Sequence, residues 1–234
     1  MSRFFNLDSP IMSGLSKMAD LIYLNVLTLI CCIPIVTIGA AFTSMHYVLL
    51  KMVRNEEGYI TRLYFKSFKE NFKQATILWL IILVIIAVLV GDYFIFNYSG
   101  IEFPAALQIA FFAVGILIAI SLIYTFPVLA RFENTIIGTL KNSLFISILS
   151  LPKTILMLIC YAVPFVIFFT SVALMPLVFM FGISGPGYIA ALLYNGTFKK
   201  FEPEAEEEKE DVWFIEPEEG MANEPQEENT EYKE

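Results

Sequence analysis

Charge is scarce through most of this sequence. Four stretches contain no Asp, Glu, Lys or Arg at all: 21–50, 74–91, 103–130 and 154–198. Charged residues make up 16% of the chain, against about 25% in a soluble domain. Histidine is nearly missing as well, His46 being the single one. A zinc site or a histidine-activated nucleophile draws on a fuller set of ligands or bases. Cysteine is limited to Cys31, Cys32 and Cys160, an odd number inside apolar runs. That excludes a disulfide framework and leaves soft apolar filler as the reading. No glycine-rich phosphate loop and no metal-ligand spacing is present. No cofactor and no metal are therefore expected, and the chain does not power transport by ATP hydrolysis itself.

What fills the gaps is hydrocarbon. Apolar residues reach 57% and the mean hydropathy is +0.69, a membrane composition. A bilayer core takes about 20 apolar residues per helical span. The first three charge-free runs give one span each, and 154–198 gives two, so five spans are expected. The run 76–90 does not alternate in polarity, which argues against a transmembrane barrel. Helices satisfy their own backbone hydrogen bonds and suit lipid. The start of the sequence lacks a charged leader and small-residue cleavage site, so 21–50 is read as one retained span.

Basic residues set the expected orientation. Six lie between the first two spans (Lys51, Arg54, Arg62, Lys66, Lys69, Lys73), none in 97–104, three in 131–153, and two more, Lys199 and Lys200, follow the last span. The positive-inside rule puts the basic sets in the cytoplasm. Five spans then leave the N-terminus outside and the C-terminus cytoplasmic.

Within the first basic set, Phe65, Phe68 and Phe72 recur at helical spacing, and Lys66, Lys69 and Lys73 follow one residue behind. This reads as an amphipathic helix on the anionic inner leaflet, rings among acyl chains and ammonium groups toward lipid phosphate. Residues 134–150 read as a second inner-surface helix, too short and polar to span. Membrane lipids are thus expected partners, and nucleic acid is not.

The end of the sequence is a different material. Residues 202–234 hold fifteen Asp and Glu against two Lys, a net −13, so 1–201 carries +5 of the chain's total of −8. The division expected is a helical transmembrane domain, 1–201, and a disordered acidic cytoplasmic tail, 202–234. Inside the tail, Val212, Trp213, Phe214 and Ile215 form an apolar island that suits a short docking motif.

Ionisable groups near the spans are the candidates for a polar site: His46, Asp92 at the outer end of the second span, and Arg131 and Glu133 at the inner end of the third. Asn25, Thr28, Thr37, Ser121 and Thr125 are the thin supply of other polar groups for a path through the bundle. The motif "GISG", 182–185, resembles that of intramembrane serine proteases with Ser184 as nucleophile. No histidine follows it, and "GISGPG" reads better as a break in the last span around Pro186. The small residues Gly39, Ala40 and Ala41 let backbones approach closely and also occur in ordinary spans, so they do not decide on a helix–helix interface.

Two long stretches, "PIVTIGAAFTSMHYVLLKMVRNEEGYITRLYFKSFKENFKQATILWLI" (34–81) and "FPVLARFENTIIGTLKNSLFISILSLPKTI" (126–155), resemble the YesL-like family of bacterial multi-span membrane proteins, a domain of unknown function. The resemblance implies no established activity and carries over no catalytic residue. It implies association with carbohydrate uptake systems of the ATP-binding-cassette type. The expected function is a non-catalytic accessory or regulatory component of such a system, with transporter subunits as partners. The alternatives are a small stand-alone transporter or channel for a polar solute and, remotely, the protease.

Overall fold

A computed structural model describes residues 10–56, 58–98 and 104–202. Its helices all lie in the unit Met1–Lys200. They are α1 (Pro10–Cys31), α2 (Ile38–Val53), α3 (Ile60–Tyr98), α4 (Ala105–Arg131), α5 (Ile136–Leu149), α6 (Leu151–Thr170), α7 (Met175–Phe181) and α8 (Ser184–Phe198). Short 3-10 turns precede α2 and α7. No strand occurs among the described residues.

Proline marks most of the starts. Pro34 precedes the turn into α2, Pro104 caps α4, Pro152 and Pro176 sit in the first turns of α6 and α7, and Pro186 lies at the start of α8. A first-turn proline loses no intrahelical bond, because its missing N–H had no partner there. Pro127 and Pro164 sit inside α4 and α6. Thr135 caps α5 by accepting the Gly138 N–H at 3.2 Å.

Five helices are individually long and apolar enough to cross a bilayer, and the pair α7–α8, bent by 52° at its break, makes a sixth when taken as one span. The outer faces of α3, α4 and α6 are apolar and exposed, as with Val84, Ile109, Ile155 and Phe169. Contiguous apolar surface of that extent belongs in lipid, not water. The chain is an all-α multi-pass membrane protein.

Two expectations need correction. The run 21–50 is not one span. It breaks after Cys31, where Pro34 biases Ile33 away from helical backbone. The Thr37 hydroxyl stitches the break by donating to the carbonyls of Cys31 at 2.6 Å and Pro34 at 2.8 Å. Helices α1 and α2 therefore run back to back. Lys17 Nζ donates to Asn55 Oδ1 at 3.2 Å, and Tyr23 and Thr61 share a hydrogen bond at 2.8 Å.

The start of α1 lies at the same end as the 54–59 connection. Arg54 bonding to Asn195, Lys153 bonding to Thr197, and Phe132 packing on Phe198 bring the ends of α2, α4 and α8 and the start of α6 to that end too.

The second correction concerns 65–73. This stretch is not a separate helix that turns into the membrane. It lies inside α3, 39 residues without interruption, or about 58 Å at 1.5 Å per residue. No glycine or proline occurs between Ile60 and Val90 to break it.

Packing is tight where small residues permit it. A Cβ added to Gly39 would stand 2.8 Å from the Trp79 Cβ and closer still to the Ala75 carbonyl oxygen. So α2 and α3 touch backbone to backbone, beside fully buried Ala40 and Ala41. A Cβ at Gly187 would meet Leu49 Cδ1 at 2.8 Å, which seats α8 on α2. Helix α5 packs in an unexpected sense. Thr139, Ser143, Ile146 and Ser147 are buried, while Ile137, Leu144, Phe145, Ile148 and Leu149 are exposed. Ser143 and Ser147 spend their hydroxyls on the carbonyls of Thr139 and Leu144 within α5, leaving a slim inner face.

Candidate functional site

The densest long-range polar bonding surrounds the break between α7 and α8. Two half-helices meeting inside a membrane leave backbone N–H and C=O groups without intrahelical partners, and lipid cannot satisfy them. Asn25 of α1, fully buried, does so. Its Nδ2 donates to the Phe179 carbonyl at 2.7 Å, and its Oδ1 accepts the N–H groups of Ile183 and Ser184 at 2.9 Å each. One side-chain amide thus caps the end of α7 and the start of α8 together. The Ser184 hydroxyl donates to the Leu21 carbonyl at 2.8 Å, a second tie between α1 and the break. The break falls where "GISGPG" leads one to expect it, with Pro186 just inside α8 instead of at the kink itself.

His46 of α2 forms the second polar centre. It is buried, with Nδ1 3.3 Å from the Tyr194 hydroxyl of α8 and Nε2 3.4 Å from the Tyr161 hydroxyl of α6. A neutral imidazole has one donor and one acceptor nitrogen, so one tyrosine accepts and the other donates. Three helices are joined through one ring. Tyr194 also packs on Phe198, ring centroids 4.7 Å apart.

A third set lies at the basic end. Arg54 Nε donates to Asn195 Oδ1 at 2.9 Å, and Lys153 Nζ donates to Thr197 Oγ1 at 2.9 Å, with the Ser150 hydroxyl 3.4 Å from the same oxygen. These ties hold α8 to α2 and α6 through groups whose charges stay partly exposed.

Two apolar grooves flank the contact of α6 with α7. Their volumes are about 490 and 290 Å³, and both are walled by Pro164, Val178 and Gly182. Tyr161 lines the larger one.

The sequence candidates scatter across this framework. His46 bonds to neither Asp92, Arg131 nor Glu133. Asp92 is half-buried on the second half of α3, while Arg131 and Glu133 are exposed at the end of α4. The Thr28 and Thr125 hydroxyls return to the Leu24 and Ser121 carbonyls of their own helices. Ser184 and His46 are bonded to different partners and not to each other.

On α3, Phe68 lies 5.6 Å from Phe72 and 6.5 Å from Phe65 between ring centroids, so the aromatic ridge is continuous. Phe65, Phe72, Lys66, Lys69 and Lys73 are exposed or half-buried at the helix surface. Val212, Trp213, Phe214 and Ile215 lie outside the described residues. No group of three or more His, Cys, Asp or Glu that could hold a metal ion occurs among the described residues.

Tyr161, Tyr194, Asn195, Lys153 and Thr197 were not among the sequence candidates. Tyr194, Asn195 and Thr197 share one turn of α8, and polar side chains clustered on so short a piece of an apolar helix are the signal that could have found them.

Residues 21–93 match the family model described as "Protein of unknown function, DUF624". The match covers just under a third of the chain. It takes in Asn25, Gly39, His46 and the basic stretch of α3. No curated protein and no solved structure matches the chain.

Proposed function

We propose that this protein is a non-catalytic accessory or regulatory component of a membrane uptake system, with a carbohydrate transporter of the ATP-binding-cassette type as its partner. One observation carries the reading. The buried polar groups that join different helices are bonded inside the chain, at Asn25, Ser184 and His46, while broad apolar faces of α3, α4 and α6 remain uncovered. Thr76 Oγ1 and the Tyr124 hydroxyl are buried without a partner, but the ties between helices at Asn25, Ser184 and His46 are satisfied within the chain, which fits a scaffold that meets partners through its outside. The carbohydrate system enters through the resemblance to the YesL-like family.

The membrane is the bacterial cytoplasmic membrane, with the basic end inward. The connections 32–37, 97–104 and 171–174 carry no Lys or Arg, whereas Lys51, Arg54, Lys199 and Lys200 lie at the other end. That alternation supports six crossings, with the start of α1 and the end of α8 both cytoplasmic.

Affinity capture of the tagged full chain from mild-detergent extracts of its native membrane tests the reading. Transporter subunits are expected in near-equal amounts. Replacing Val212, Trp213, Phe214 and Ile215 with Ser should release them if the tail docks the partner. If no transporter subunit is captured with the unaltered chain, the accessory reading fails.

One observation favours a stand-alone transporter instead. The break between α7 and α8 is a discontinuous span of the sort that binds substrates in transporters. Sugar flux into proteoliposomes containing the purified chain alone would move the assignment to that class.

A further inference from the structure

We infer that the first half of α3 carries a binding site for the phosphate headgroup of an anionic phospholipid, formed by Arg62, Lys66 and Lys69 beside Tyr59 and Phe65. These residues and Thr61 line one open depression of about 550 Å³. Arg62, Lys66 and Lys69 stand at i, i+4 and i+7 on one helix face, a spacing at which like charges repel. Among the described residues none of the three is ion-paired, whereas Lys51 nearby pairs with Glu56 at 2.7 Å. Glu70 is close in sequence and exposed, yet bonded to none of them. Three unneutralised cations held together on a rigid helix make a site for an anion.

The surroundings select a lipid as the source of that anion. Phe65 and Phe72 are each 39% exposed and continue the ring series of Tyr64 and Phe68, while Tyr59 is 84% exposed at the rim. Aromatic rings beside ammonium groups match the boundary between acyl chains and headgroups. The charge-free stretch 74–91 begins directly after Lys73 on the same helix, so the cations stand within a few turns of apolar span. A soluble phosphate would draw on the cations and leave the exposed rings in water. Thr61, bonded to Tyr23 of α1, fixes one rim of the depression to the bundle. The net +5 of residues 1–201 adds a long-range attraction to an anionic leaflet.

The test uses the full chain purified in a nonionic detergent. Phosphatidylglycerol and phosphatidylcholine with identical acyl chains are added separately. Lipid retention is read by native mass spectrometry and the melting temperature by scanning fluorimetry. Phosphatidylglycerol should be retained several-fold more than phosphatidylcholine and should raise the melting temperature further.

The variant Arg62→Gln/Lys66→Gln/Lys69→Gln should lose that preference while keeping the unaltered chain's melting temperature with phosphatidylcholine. Lys66→Gln alone should lose part of it, which keeps the test decisive if the triple variant folds poorly. Lys199→Gln/Lys200→Gln should keep it in full. Retention of the full preference by the triple and single variants overturns the site. An equal rise in melting temperature with sn-glycerol 3-phosphate alone also overturns it, because the anion would then come from solution.

Discussion

Two regions of this bundle are both built of apolar helices and differ in nearly everything else. In one, α1, α2, the first half of α3 and α8 pack so closely that Gly39 and Gly187 leave no room for a Cβ, and Asn25 and His46 bond across three helices. In the other, the second half of α3 and the first half of α4 form a hairpin exposed on nearly every face, with Val84, Val88, Ile109 and Ile116 facing out. Gly91 and Gly115 there have nothing within 4 Å of a would-be Cβ. The difference shows what hydrophobicity does not decide in a membrane. Apolar side chains place a helix in lipid, but lipid is as apolar as leucine. Association is driven by close approach and by polar groups that need partners.

The largest effect expected is at Gly39. The variant Gly39→Leu drives a side chain into the Ala75 carbonyl and the Trp79 Cβ, backbone and near-backbone atoms that cannot swing aside. Helices α2 and α3 must separate, and the Trp79 Nε1 bond to the Ile35 carbonyl, 2.8 Å, goes with them. Loss of folded protein in detergent, read by size-exclusion chromatography, is the expected outcome. A monodisperse Gly39→Leu protein of unchanged melting temperature would show that the close approach is unnecessary.

Asn25→Ala comes next. It removes three hydrogen bonds and leaves two N–H groups and one carbonyl at a membrane-embedded break. Interhelical bonds in membrane proteins contribute about 0.6 kcal/mol each, so a loss of about 2 kcal/mol is expected in an SDS-unfolding titration. Hydrogen exchange should rise selectively at Ile183 and Ser184. Unchanged exchange there would mean that the half-helices satisfy themselves.

Much of this contrast was legible in the sequence, and the residues show where legibility ended. Charge-free runs located the apolar helices because a bilayer excludes charge, and "GISGPG" located the break because glycine and proline interrupt helices. Gly39, Ala40 and Ala41 allowed close packing without fixing it, because small residues also occur in ordinary spans. The run 21–50 was read as one span because prolines such as Pro34 are tolerated within spans, and 30 charge-free residues fit one tilted helix. The unbroken α3 was missed because the change from basic to apolar at Lys73 looked like a change of element. The partners of Asn25 and His46 lie more than a hundred residues away in sequence. Spacing within a helix says nothing of contacts at that separation.

His46→Phe should sharpen the contrast at smaller cost. The ring volume is nearly kept, but the Tyr161 and Tyr194 hydroxyls lose their shared partner. Both contacts are long, so about 1 kcal/mol is expected. Adding Tyr194→Phe should recover part of it, because the orphaned buried hydroxyl goes as well. The double-variant cycle reads that coupling directly. Additive losses would show that the histidine and Tyr194 are neighbours without being partners.

The smallest effect is expected where the second region is most open. Gly115→Leu adds a large side chain to a position with no neighbour within 4 Å. In water such a surface leucine would be a liability. In lipid it exchanges one apolar contact for another, and replacing a helical glycine gains about 1 kcal/mol of propensity at most. The melting temperature in detergent should therefore hold or rise slightly. The same substitution also reads what covers the hairpin in the native membrane. If a partner helix sits against Gly115, the added side chain must push it away, and capture of transporter subunits should fall while the isolated chain stays stable. If lipid alone covers it, neither measurement should fall. A drop in stability of the purified chain would mean that α3 and α4 pack more closely around Gly115 than the open space there indicates. The two regions would then differ in degree and not in kind.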